Sequence, residues 1–160
     1  MTSYPLDIRL TDDSVSVGPV ALVPRGSTVD NLVLALGKAD RILPMQYDNV
    51  LVNTLYIYDQ LGIRFWAKAD VVSELQIILE TEKRETFPTH SFIGSFEYKG
   101  RVLLPPVSGN IFTNGELAEF VQDNDSLQYD REVYVANTPL MKYTVLISNS
   151  TNSIKYISVS

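Results

Sequence analysis

Residues 51–69 read Leu51-Val52-Asn53-Thr54-Leu55-Tyr56-Ile57-Tyr58-Asp59-Gln60-Leu61-Gly62-Ile63-Arg64-Phe65-Trp66-Ala67-Lys68-Ala69, and this stretch decides the fold class. Two runs rich in β-branched and aromatic side chains flank Asp59-Gln60-Leu61-Gly62, with glycine where a positive φ is expected. The stretch therefore reads as strand 51–58, turn, strand 63–69. Residues 71–80 contain Glu74-Leu75, which a helix would accept. The Ile77-Ile78-Leu79 run, coming straight after a hairpin, favours a third strand.

Upstream, Leu6, Ile8 and Leu10 alternate with Asp7 and Arg9, Thr11-Asp12-Asp13 is turn chemistry, and Val15 and Val17 resume the alternation. A further strand piece at 20–23 ends at Pro24. A short helix follows. Ser27 or Thr28 caps it, Asp30 suits its positive end, and Val29, Leu32, Val33 and Leu36 share one face. Gly37 closes it. Such a short helix needs a sheet to lean on.

Downstream, the charged, Pro-containing segment 81–89 is the natural linker. A similar order of elements then returns. A hairpin forms around Lys99-Gly100 with strands at 96–98 and 101–104, ending at Pro105-Pro106. A helix at about 114–122 follows, with Leu117, Ala118, Phe120 and Val121 as its apolar residues. Strands close the chain at 131–136, 142–148 and 154–159. Leu22-Val23-Pro24 matches Leu103-Leu104-Pro105 at an offset of about 80 residues, and 63–68 matches 143–148 at the same offset. The expectation is an α+β protein of two tandem halves, each a short helix packed on an antiparallel β-sheet. Residues 1–80 form the first half, 81–89 the linker and 90–160 the second half, with one continuous domain as the variant of this reading.

Composition bounds the function. The chain has 160 residues, 45% hydrophobic and 20% charged, as an ordinary globular protein has. There is no cysteine, which removes disulfides, zinc–thiolate sites and cysteine nucleophiles. The start, Met1-Thr2-Ser3-Tyr4-Pro5-Leu6-Asp7, has no basic region followed by an apolar stretch, so no signal peptide is expected. No apolar run nears the ~20 residues of a membrane span. A soluble, cytoplasmic protein without membrane contact is the expectation. The net charge of −6 disfavours nucleic acid and suits a basic protein partner. A homodimer stays open.

The inventory of chemistry is thin. His90 is the single histidine, and no Gly-x-Ser-x-Gly elbow accompanies Ser91. Asp123-Asn124-Asp125-Ser126 starts like a calcium loop, but Gln128 stands where the glycine belongs and Tyr134 where the bidentate glutamate belongs. No glycine pattern makes a phosphate cradle. The expectation is a non-enzyme with no catalytic residues, no cofactor and no metal.

Two features suit recognition. Tyr47, Tyr56, Tyr58, Phe65 and Trp66 cluster around the first-half hairpin, and adjacent Phe65 and Trp66 point to opposite faces, leaving one of them for an exposed anchor. Glu116, Glu119, Asp123, Asp125, Asp130 and Glu132 stand against Arg131 alone. Core packing and a solvated acidic face are the plainer readings of both. The sharper reading makes these six acids, with Phe65 and Trp66, a partner-binding surface.

Three motifs, Gly37-Lys38-Ala39-Asp40-Arg41, Tyr58-Asp59-Gln60-Leu61-Gly62-Ile63 and Phe92-Ile93-Gly94, together resemble a family of small uncharacterised bacterial proteins. The likeness covers about residues 20–94 and departs at Ala39, where proline is commoner. The helix-plus-sheet order is also similar to the tandem halves of β-lactamase-inhibitor proteins. The resemblance implies an immunity protein that neutralises a cognate antibacterial toxin by contact, and it carries over no functional residue. A structural or adaptor subunit of a bacterial assembly is the second function class, and a carboxylate-based hydrolase the third.

Overall fold

The computed structural model describes residues 6–22, 26–103, 109–113, 117, 119–123 and 131–160. Alternating burial produces β1 (Asp7–Leu10) and β2 (Val15–Val17), with Ile8, Leu10, Val15 and Val17 turned inward. They are followed by β3 (Val20–Leu22) and α1 (Val29–Leu36). Thr28 caps α1. Its hydroxyl accepts from the Asn31 N–H, and the Asn31 side chain accepts from the Thr28 N–H. Gly37 ends the helix at φ 83°, and its N–H donates to Val33 O at 2.8 Å.

The long strands come next: β4 (Arg41–Tyr47), β5 (Val50–Tyr58), β6 (Ile63–Lys68) and β7 (Val71–Ile78). The chain continues through β8 (Ser95–Tyr98), β9 (Arg101–Leu103), α2 (Asn110–Thr113) and β10 (Val121–Gln122). It closes with β11 (Arg131–Asn137), β12 (Lys142–Ser148) and β13 (Ile154–Val159). The hairpin at 51–69 and the last three strands stand where the pattern puts them.

Their pairing corrects the expected architecture. One sheet has the order β3-β2-β1-β8-β9, with β1 and β8 parallel. The other runs β10-β11-β12-β13-β7-β6-β5-β4 and is antiparallel throughout. Both sheets mix strands from 1–80 and 90–160, so neither half owns a sheet and the α+β picture of two helix-on-sheet halves is overturned. The molecule is mainly β, two sheets with α1 beside them. The physical reason lies in the short strands. Three or four residues with one apolar face cannot cover a core alone. β1–β3 and β8–β9 therefore pool into one layer that packs on the long sheet. The expected helix at 114–122 is also corrected: Val121 and Gln122 are strand β10, and the four-residue α2 lies ahead of it. Residues 114–116 and 118 lie outside the described residues.

The core lies between the sheets. Ile8, Val17, Leu32, Phe65, Leu75, Ile77, Tyr143, Val145 and Val159 belong to it. Aromatic edges join the layers at one end, where Tyr98 meets Tyr143 at 5.7 Å and Phe120 at 5.3 Å, and Phe112 meets Phe120 at 4.9 Å. The Tyr143 hydroxyl also donates to Thr11 O in the β1–β2 turn.

Candidate functional site

Side chains alternate across a sheet, so the long sheet has a second, outer face. Its registers line up Val121, Val135, Thr144, Ser158, Gln76, Arg64, Ile57 and Arg41 in one row across all eight strands. Next to it on the same face, Leu43, Leu55, Trp66 and Glu74 form a shorter row. Arg64 is buried in the middle. Its Nε donates to Gln76 Oε1 at 2.6 Å, its Nη1 to Thr86 O at 2.6 Å, and its guanidinium lies 4.1 Å over the Phe87 ring. Burial pulls its pKa down, opposed by Tyr156, Glu74 and Glu82. Gln76 passes the network on to Glu74, which also accepts from Ser158.

The segment at 81–89, expected as a linker, crosses this outer face as a strap. Arg41 donates to Glu85 O and Phe87 O, and Arg64 to Thr86 O. Glu82 is held by Arg131 at 2.6 Å, Arg84 at 3.2 Å and Lys155 at 3.9 Å. The one base counted against the acids between 116 and 132 is thus turned to the strap.

The sequence-predicted residues divide. Phe65 is fully buried on the inner face, stacked on Tyr56 at 4.6 Å, so it belongs to the core. Trp66 is half-buried on the outer face, across from Leu55 and Glu74. It is the member of the pair with surface to offer. Glu119 is exposed, accepts from the Tyr98 hydroxyl at 2.8 Å and lies 3.5 Å from Lys99 Nζ. Burial acts to raise its pKa, but its own backbone N–H, Tyr98 and Lys99 together hold it below the usual glutamate range. Half-buried Glu132 accepts from the Tyr134 hydroxyl at 3.3 Å. Asp123 is half-buried, and its N–H donates to Val133 O. Glu116, Asp125 and Asp130 lie outside the described residues.

Glu119 and Asp123 flank a cavity of about 500 Å³ lined also by Val121, Val135, Asn137 and Lys142. Val135, Asn137, Lys142 and Val121 share the outer-face parity, so this cavity opens on the same face as Trp66. Lys99 reaches Glu119, and Lys142 comes to line the same cavity, only through folding, which a count along the chain misses.

His90 sits at another place. Its Nδ1 is 2.9 Å from the Thr89 hydroxyl, and its N–H donates to Asp59 O. Ser91 Oγ accepts from the Thr81 N–H. Among the described residues, no group of three His, Asp or Glu side chains is placed to hold a metal ion. No helix among them is long and apolar enough to cross a membrane.

The three motifs meet at one junction. The Tyr58 hydroxyl donates to Gly37 O at 2.8 Å, the Asp59 N–H to Asp40 Oδ2 at 2.7 Å, and Gly62 packs on the backbone of Phe92. Arg41 grips Asp59 with two bonds of 2.9 and 2.8 Å, and the Thr89 N–H adds a third at 2.9 Å. Arg41 and the Thr89 N–H lower the Asp59 pKa against the effect of burial. The group is therefore more acidic folded than unfolded, and its stabilisation is full above the ordinary value of 3.8 and lost as pH falls through the folded pKa. Asp59→Asn is expected to remove that acid limb below about pH 4 and to cost about 1–2 kcal/mol at neutral pH. Circular dichroism melts from pH 2 to 7 (roughly the span over which a carboxylate titrates) check it. Parallel pH profiles of parent and variant would refute the assignment.

Comparison with known proteins gives no match among curated proteins. Two solved structures resemble the fold. A DUF4309 family protein (YjgB) from Bacillus subtilis is 17% identical, with a TM-score of 0.49 over 84% of this chain and 78% of that one. An extracellular protein containing a SCP domain from Bacillus anthracis is 12% identical, with a TM-score of 0.40 over 85% of this chain and 43% of that one. Residues 7–117, well over half of the chain, match the family model described as "Domain of unknown function (DUF7738)", and the chain belongs to that family.

Proposed function

We propose that this chain acts by protein–protein contact rather than by catalysis, as an immunity protein that covers a basic toxin domain with the outer face of its long sheet. One observation carries the reading. Trp66 and the Glu119–Asp123 cavity lie on the same face, separated by five strand spacings. Measured across the strands, that is about 24 Å at ~4.8 Å per strand. A standard interface of about 800 Å² per partner is wide enough to span both. Carboxylates at one end would steer a basic partner, and the indole at the other would supply the desolvated anchor. The reading includes a cytoplasmic location and needs no cofactor.

The test pairs the chain with the basic toxin domain encoded beside it. Coexpression restores growth, and purified proteins bind with an association rate that falls as salt rises. Asp123→Lys slows association and flattens the salt dependence. Trp66→Ala speeds dissociation by about thirtyfold or more, the loss of one hot-spot contact. If both folded variants bind and protect as the parent does, the outer face is not the contact surface.

A further inference from the structure

The strap and its flanks, residues 79–91, add no strand to either sheet, and their two ends meet. The Phe92 N–H donates to Ile78 O at 2.7 Å, and the Thr81 N–H donates to Ser91 Oγ at 3.0 Å. The neck is fixed to the body in turn, because the Ile78 N–H donates to Gly62 O and the Leu79 N–H to Lys155 O, both at 2.8 Å. A surface loop of about 6–16 residues closed at its neck is an Ω-loop. With the neck held, the loop can open without moving the strands it joins. Between 80 and 91 only Phe87 and Pro88 are buried, so little apolar surface ties the strap down. Charge does most of the holding. Arg41 and Arg64 take strap carbonyls at 85, 86 and 87, and Arg131 of β11 and Lys155 of β13 converge on Glu82.

We propose that the strap is a charge-latched gate on the outer face, held shut by Glu82, and that its open state rejects a basic partner. The second clause rests on the toxin-contact reading; the first does not. Closed, Glu82 offsets Arg131 and Lys155. The strap also covers Arg64, whose other partner is the neutral Gln76 amide. Open, the strap carries Glu82 away, and Arg64, Arg131 and Lys155 face outward. Arg131 shares a face of β11 with Val135, which lines the Glu119–Asp123 cavity. The two positions are about 13 Å apart at ~3.4 Å per residue. Uncovered positive charge at that range opposes the approach that Glu119 and Asp123 favour, most strongly at low salt. The latch therefore sets the sign of the contact face.

Hydrogen exchange of the full chain, read by mass spectrometry, tests the gate without any partner. Peptides over 80–91 report the strap, through the Thr89 and His90 N–H groups that donate to Asp59, and peptides over 63–78 report the sheet. Glu82→Gln keeps the shape and removes the charge. It is expected to speed exchange over 80–91 by about tenfold or more, the loss of one charge-assisted contact, and to leave 63–78 at the parent rate. Arg131→Gln is expected to match it, since it removes the other half of the pair. Glu85→Gln makes the same charge change at an exposed strap position outside the latch and is expected to exchange as the parent does. Against the basic toxin domain, Glu82→Gln is expected to associate about threefold or more slowly than Glu85→Gln at low salt. Strap exchange that stays at the parent rate in Glu82→Gln, or rises only together with that of the sheet, overturns the gate. Equal association of the two glutamine variants overturns its bearing on the partner. A parent that binds no toxin domain refutes the contact reading instead, and exchange still decides the gate.

Discussion

Gly62→Ala is expected to remove about 3–5 kcal/mol, much of the 5–15 kcal/mol that holds a domain of this size folded. Two costs add at this residue. Its φ is +68°, a conformation that costs an L side chain roughly 1–2 kcal/mol. A Cβ here would also overlap the N and Cα of Phe92, which is backbone and has no rotamer to give way. Phe92 is pinned in turn: its N–H donates to Ile78 O at 2.7 Å, and the Ile78 N–H donates to Gly62 O at 2.8 Å. Gly18→Ala separates the two costs, because Gly18 has a φ of +57° but nothing within 4 Å of its would-be Cβ. It should cost only the backbone share, about 1–2 kcal/mol. Thermal melts are expected to place Gly62→Ala about 6–20 °C below the parent, at 2–4 °C per kcal/mol. Similar melting points for the two glycine variants would show that the junction at Phe92 is looser than described.

Phe65→Ala is expected to cost about 3–5 kcal/mol of stability, the range for deleting a buried ring. The side chain is fully buried, stacks on Tyr56 and lies 6.1 Å from the Tyr58 ring. Any binding it loses would follow from unfolding, and lowering the temperature should restore it. Trp66→Ala is expected to cost far less stability, because the side chain is half-buried on the outer face, across from Leu55. Its larger effect is expected on partner dissociation. Chemical denaturation of both variants, beside binding of the folded fraction, sorts them. If Trp66→Ala unfolds the protein as Phe65→Ala does, the indole is a packing residue and the anchor must be sought elsewhere.

Local order was legible because local physics sets it. The α1 cap at Thr28, its end at Gly37 and the glycine turn at 59–62 follow from side-chain chemistry within a few residues, and the structure has all three. β4 was missed because Pro44 interrupts its pattern. Only an edge strand tolerates a proline there, and edge status depends on the pairing of other strands. The motif residues Arg41, Asp59 and Gly62 read as turn-formers. Their bonds to one another and to 85–92 appear only once 40, 60 and 90 are brought together.

The sequence by itself determined most of the strands, though not β4 or β10, together with α1, the absence of thiol chemistry, and the rule that Phe65 and Trp66 face opposite ways. All three are properties of composition or of the two-residue period along a strand. Only the tertiary structure decided the partners: β1 beside β8, β7 beside β13, and therefore two shared sheets in place of two repeated halves. It also decided which ring is buried, that Arg131 serves the strap, and that Lys99 reaches Glu119. Pairing is chosen by which apolar faces cover one another across long loops, and a pattern read along one strand carries no information about the strand that will lie beside it.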